Sequence, residues 1–253
     1  MATTTPYLRG FWKLTWLETK IFTREPMGFV GTLIMPVVVF LLFGRLFRIG
    51  KPVPTPKVDI PFNVAILAAI LIAVSAVQSL VAIISIYREG GILKRLRATP
   101  LSPVTIMGSQ VAVKLVFTVV SLALLMLAGR RLFPGVMQVN VFSFTAAMLL
   151  GTFSILSLGF VLASLVPTAR FAQPISAAVL YPMLAFSGLF FPLARLPRAL
   201  QMLAYVFPTT HAVALLQGVW NGSGWSAHWV NVAALLALFA AYTALSTRVF
   251  RWE

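Results

Sequence analysis

Ile60–Tyr87, IPFNVAILAAILIAVSAVQSLVAIISIY, contains no charged side chain. A helix needs about 20 apolar residues to cross the hydrocarbon core of a bilayer, and this stretch is long enough to cross and tilt. Directly after it stands Tyr87-Arg88-Glu89-Gly90-Gly91-Ile92-Leu93-Lys94-Arg95-Leu96-Arg97-Ala98-Thr99-Pro100-Leu101-Ser102-Pro103. This segment reads as a short helix that begins near Gly91 and stops before Pro100. Glu89 lies at its positive end, where a carboxylate is favoured. Ile92, Leu93 and Leu96 supply an apolar side, and Lys94, Arg95 and Arg97 a charged one. Two readings stay open on the residues alone: a basic loop against anionic lipid, or a docking helix through which a cytosolic partner pushes the spans.

Working outward, the same pattern repeats. Pro26–Gly44 is uncharged between Arg24-Glu25 and Arg45, and Val104–Ala128 is broken only by Lys114. Three further apolar stretches cover Val141–Val166, Phe171–Phe191 and Trp229–Thr247, the last closed by Arg248 and Arg251. The expectation is an all-α integral membrane protein, one domain over 1–253. Its six transmembrane helices would cover about 27–47, 62–86, 104–128, 141–166, 171–191 and 229–247. Composition agrees: 60% of residues are apolar and 10% charged, against roughly half and a quarter in soluble domains.

Twenty Lys+Arg against five Asp+Glu give a net charge of +15. On a soluble chain that would suggest nucleic acid. Membrane proteins instead keep basic residues at the headgroups and lose acidic ones, so no nucleic-acid partner is expected. With no cysteine there is no disulfide, thiolate nucleophile or Cys-ligated metal.

Residues 7–24 read as an amphipathic helix lying on the membrane and not as a signal peptide, with Thr5 as cap, Pro6 in the first position and Pro26 as stop. Arg9, Lys13, Lys20 and Arg24 share one side, with Tyr7, Phe11, Leu14, Ile21 and Phe22 roughly opposite. Glu18 sits in the middle of that apolar face, where a carboxylate needs a protein partner. Six spans put both termini on one side, together with eleven basic residues against eight on the other, which favours cytoplasmic termini. Lys114 is expected to snorkel to the headgroups, and His228 to be an interfacial residue beside Trp225 and Trp229. The stretch 192–225 is too polar and too rich in Pro and Gly for a simple span. It reads as a short re-entrant or surface helical hairpin, allowed where protein satisfies its backbone.

Several chemistries are excluded. The expected topology places all five carboxylates, Glu18, Glu25, Asp59, Glu89 and Glu253, outside the hydrocarbon core, so no carrier carboxylate is available for ion coupling. There is no Arg ladder, ion filter, HExxH or phosphate-gripping loop. Ala185-Phe186-Ser187-Gly188, followed by His211, is a near miss to the GxSG of rhomboid proteases; Ala185 replaces the first glycine, and a packing kink is the reading. Any uphill movement must draw its energy from another polypeptide.

At Arg88–Ser102 the sequence resembles the permease subunits of type-2 ABC exporters, whose pattern R-E-x-G-T-L-x-x-L-R-x-T-P-L-S is matched except at Ile92. Tyr181-Pro182-Met183, Ser187-Gly188-Leu189-Phe190-Phe191-Pro192, Leu196-Pro197 and Phe207-Pro208-Thr209-Thr210-His211 are similar to that family's fifth span and the hairpin after it. Thr23-Arg24-Glu25-Pro26 is similar to the R-D-P that leads into its first span.

The resemblance implies two permeases, identical or different, working with two ABC ATP-binding subunits that hold ATP and Mg; this chain would bind no cofactor and would not be an enzyme. It implies a coupling helix at 88–103, with Glu89, Gly91, Leu93, Arg95 and Arg97 docking on the ATPase. Residues 7–24 would be an elbow helix, with Glu18 and Arg24 making protein contacts. The second and fifth spans would line the seam between the two halves. There Ala65, Ala69 and Ala73 form a small-residue stripe, Ser75, Gln78 and Ser79 are polar, and Tyr181, Met183 and Phe186 are soft and apolar. Ordinary helix packing is the alternative for each. Phe190, Phe191, Pro208 and His211 would gate the exit on the outer face, within the extracellular hairpin. The expected function is export of an amphipathic drug-like or lipid substrate across the plasma membrane of a bacterium or archaeon. Export of a lipid-linked glycan or polysaccharide, and a non-transporting membrane scaffold, remain alternatives.

Overall fold

The computed structural model describes residues 4–24, 26–46, 63–97, 103–133, 139–190 and 192–249. Among the described residues every regular element is a helix. Helix α1 covers Thr4–Arg24. A continuous helix then runs through α2 (Pro26–Phe29), a π-helical segment (Val30–Ile34) and α3 (Met35–Leu46). It is followed by α4 (Val64–Glu89), the short α5 (Ile92–Arg97), α6 (Pro103–Leu132), α7 (Val141–Leu165) and α8 (Ala169–Ala185). The last third holds α9 (Arg198–Val206), α10 (Pro208–Trp220), the single-turn α11 (Gly224–Ala227) and α12 (Trp229–Val249).

Side-chain caps set two of the starts. Asn63 accepts from the Ala65 and Ile66 amides to open α4, and Asn140 accepts from Ser143 to open α7; each satisfies donors that the first turn leaves over. The π-helical segment has an equally local cause. Pro36 has no N–H to offer Thr32, four residues back. The Thr32 carbonyl is taken instead by the Ser121 hydroxyl of α6, at 2.9 Å.

Four helices are long and apolar enough to cross a membrane, α4, α6, α7 and α12, or five if the bent pair α9–α10 is counted as one span. At the places of the expected first and fifth spans stand helices too short to count among these: the apolar part of the first is Val30–Leu46, and α8 stops at Ala185 rather than running to 191. The middle of the molecule is α4 against α7. In their most apolar windows 67% and 72% of residues are buried, compared with 11% in α12. Gly159 lets Val77 and Leu80 of α4 come so close that an added Cβ would sit 3.0 and 3.2 Å from them.

The segment after α8 folds back into the protein. α9 and α10 meet at 86°, and α10 is buried along nearly its whole length. A Cβ at Gly151 of α7 would lie 2.9 Å from that of Ala212, while Trp220 packs edge-on to Phe144 near the start of α7. Helix α10 therefore begins about ten residues deep along α7 and climbs to its first turn. At the bend between α9 and α10 side chains reach three backbone carbonyls. Thr210 donates to Ala204 O (2.6 Å), His211 Nε2 lies 3.0 Å from Tyr205 O, and the Tyr242 hydroxyl donates to Val206 O (3.0 Å). In lipid, backbone groups left without such partners would cost several kcal/mol each.

Candidate functional site

The face expected to meet an ATPase is built at the end of α4. Gly90 caps that helix, and Gly91 adopts φ +65°, a conformation that side-chain-bearing residues avoid. The chain turns there, and α5 starts with the Arg95 amide bonded to Gly91 O at 3.2 Å. Glu89 and Arg95 are exposed, whereas Leu93 is buried and holds α5 down. The side chain of Arg97, and residues 98–102, lie outside the described residues. Arg88, one residue before Glu89, points the other way. Its guanidinium donates to Ala163 O at 3.2 Å and to Val166 O, at the C-terminal end of α7.

Helix α1 packs lengthwise beside α6. Phe11 approaches Gly108, and Phe22 meets Phe117 at 4.4 Å between ring centroids. Leu14, Thr15, Glu18 and Phe22 form the buried stripe, and Trp12, Trp16, Lys13, Lys20 and Arg24 face outward. Glu18 accepts a hydrogen bond from the Tyr87 hydroxyl of α4 at 2.8 Å.

Lys114 departs from expectation. It does not reach the headgroups: it is 2% exposed, donates to Ser79 Oγ at 2.6 Å, and lies 4.3 Å from the centre of the Phe22 ring. A hydroxyl acceptor and an aromatic face together make its burial tolerable. A small pocket among Glu18, Ile21, Phe22, Ile83, Gln110, Val113 and Lys114 joins the three helices here.

The seam residues divide. Ala69 and Ala73 have no more than 1% exposure and pack inside this chain, so their stripe serves helix contacts within the protomer and not an outer face. Leu71, Ser75, Gln78 and Ala82 form a half-buried stripe ending at exposed Ile86. Ser79, partly buried, is turned toward Lys114. On α8, Phe171, Pro174, Ala178, Tyr181 and Ala185 are all exposed at helical spacing, whereas Met183 is buried and Phe186 is half-buried just past the helix.

At the hairpin, Pro208 and His211 are buried, Phe190 is half-buried, and Phe191 lies outside the described residues. Thr209 donates to Met183 O at 3.1 Å. His211 Nδ1 lies 3.1 Å from Asn231 Oδ1, Asn231 Nδ2 lies 3.3 Å from His228 Nδ1, and His228 Nε2 lies 3.0 Å from Ser223 Oγ. His228 is thus a member of a polar chain rather than a lone interfacial residue. Ser187 donates to Leu184 O within its own turn, so Ser187 and His211 each bond elsewhere. Among the described residues no cluster of His, Asp and Glu could hold a metal ion.

Arg88, Asn231 and Ser223 were not singled out by sequence. Arg88 carried a signal, a cation in the last turn of a span. Asn231 carried a weaker one, a polar residue in the first turn of an apolar helix.

A sequence profile of ABC-2 type transporters matches residues 9–220. Over 191 residues the chain is 25% identical to the inner membrane transport permease YhhJ of Escherichia coli (strain K12), and to the same extent to the protein of that name from Shigella flexneri. The aligned region covers 75% of this chain and 49% of each relative, so the chain spans about half the length of the curated relatives it matches. With a profile that covers most of its length and several apolar helices able to cross a bilayer, the chain belongs to the ABC-2 type transporter family and is a multi-pass membrane protein.

Proposed function

We propose that this chain is the permease subunit of an ATP-driven exporter. Two copies, or one copy and a related permease, would work with two ABC ATP-binding subunits that hold ATP and Mg. The observation behind this reading is the compact turn from α4 into α5, made at Gly91 and pinned by buried Leu93, which leaves Glu89 at the end of α4 and Arg95 of α5 exposed. In the proposed topology α3, α4, α6, α7, α8 and α12 give six crossings, the thin ones completed by neighbouring helices. The start of α1, the end of α12 and α5 face the cytoplasm of a bacterium or archaeon, and the α9–α10 hairpin faces outward, with Phe190, Pro208 and His211 at the exit.

The cargo is an amphipathic drug-like molecule or lipid. Its path lies along the stripe from Leu71 through Ser75 and Gln78 and the exposed stripe of α8 with Tyr181. Both are apolar with a few hydroxyl or amide groups, and neither has a fixed charge for a strongly ionic ligand.

The test is gentle purification of the tagged chain from its native membranes. A co-purifying ATP-binding subunit with vanadate-sensitive hydrolysis is the expected result. A folded chain that recruits no ATPase, even after reconstitution with candidate subunits, would refute the exporter reading and leave a scaffold.

A further inference from the structure

We propose that Arg88 is a positioning residue for coupling: it ties the base of the coupling helix to α7, which relays movement to the outer hairpin. The inference rests on the exporter reading for what α5 does.

Arg88 occupies the last turn of α4, immediately before the chain turns at Gly90-Gly91 into α5. The carbonyls at the end of α7 have no donors within their own helix, and a cation is favoured at that end. The planar guanidinium reaches two of them, Ala163 O and Val166 O. A lysine in its place could offer only a single point of charge. Beyond Val166 come only Pro167 and Thr168 before α8 begins. Arg88 therefore holds both the foot of α7 and the turn into α8, one residue away from the exposed Glu89.

What lies above that foot gives the clamp its reach. Helix α7 is continuous over 25 residues, with no proline and no charged side chain, a rod of about 37 Å. Its inner half is locked to α4 at Gly159, where Val77 and Leu80 close in. The outer half is locked to α10 at Gly151–Ala212 and Phe144–Trp220, and to α12 by the Ser154 hydroxyl donating to Leu235 O at 2.9 Å. Interiors packed this closely transmit displacement rather than absorb it. A shift of α5 delivered through α4 alone would have to pass along a helix–helix face. Through Arg88 it enters the end of the rod that supports the hairpin.

The test uses Arg88→Gln and Arg88→Lys in the full chain, with and without its ATP-binding partner. In the chain alone, in lipid nanodiscs, hydrogen exchange at the amides of 162–166 should quicken about tenfold in Arg88→Gln, with Arg88→Lys between. The chain has no cysteine, so Asn221→Cys at the exposed end of α10 gives one labelling site for a fluorescent probe. In the complex, the probe should respond to ADP–vanadate trapping in the parent, and lose most of that response in Arg88→Gln while ATP hydrolysis stays within about twofold. A probe response equal to the parent's overturns the relay even if exchange quickens, and unchanged exchange overturns the clamp itself. If no ATP-binding subunit associates with the parent, the exporter reading falls and takes the relay with it, while the exchange result still decides whether Arg88 holds α7. Arg88→Lys keeps the charge, so it answers the question if Arg88→Gln does not fold.

Discussion

A carboxylate enclosed beside Leu14 and Phe22 is stable only with a donor, and Tyr87 supplies one from the end of α4. Tyr87→Phe keeps the ring and removes that donor. The expected loss is about 2 kcal/mol, read as a lower unfolding temperature in detergent; an unchanged midpoint would mean that the bond adds nothing. Glu89, exposed at the start of the coupling turn, belongs to a different kind of test. In the assembled complex Glu89→Ala should leave insertion and ATP hydrolysis in place while export of a fluorescent amphipathic dye falls at least tenfold, a loss of about 1.4 kcal/mol or more in coupling; full export would remove Glu89 from the docking face. At this scale the sequence was uneven. Glu18 announced its need for a partner because it stands alone on an apolar face. Lys114 misled, because an argument about snorkelling follows one helix and cannot know that Ser79 of α4 and Phe22 of α1 converge on the same ammonium. The alanines at 69 and 73 misled for a related reason: a small-residue stripe marks close approach, but says nothing about whose helix approaches.

Helices tell a more regular story, since apolar length and caps are local. The limits of α7 and α12 follow from uncharged runs opened by Asn140 and closed near Arg248. Helix α8 was legible in position but not in extent. Pro182 withdraws one amide near its end, and Gly188 at φ +83° turns the chain away. The hairpin was legible as an interruption, while the burial of α10 was not, because that depends on Thr209, Thr210 and His211 finding carbonyls on α8 and α9. Two outcomes belong here. Thr210→Val keeps the shape and leaves Ala204 O with the Phe207 amide as donor, at a cost of about 0.5–1.5 kcal/mol, to be measured by denaturant or thermal unfolding. Gly151→Ala places a methyl 2.9 Å from Ala212 and should separate α7 from α10. A similar destabilisation is expected, about 1–3 kcal/mol, together with faster hydrogen exchange in α10. A silent Gly151→Ala would mean that the two helices slide freely.

For the whole molecule, the seam is the largest reading that one chain leaves open. In the proposed assembly Ser75 and Gln78 face it, and the paired change Ser75→Leu and Gln78→Leu should insert and fold normally. Dye export from reconstituted vesicles is expected to fall severalfold while ATP hydrolysis persists; unchanged export would place the path elsewhere. One proportion of the fold bears on the energy of crossing. Helix α8 measures about 25 Å at its 17 residues, less than the roughly 30 Å of hydrocarbon in an ordinary bilayer. Its last turn meets Thr209 at the root of α10 through Met183 O. In the proposed topology the wall beyond Ala185 is therefore hydrogen-bonded peptide rather than a continued apolar helix. If cargo takes the proposed path, a polar head travelling along this wall would leave the low-dielectric slab early, and the electrostatic barrier it must climb would be correspondingly narrower on one side.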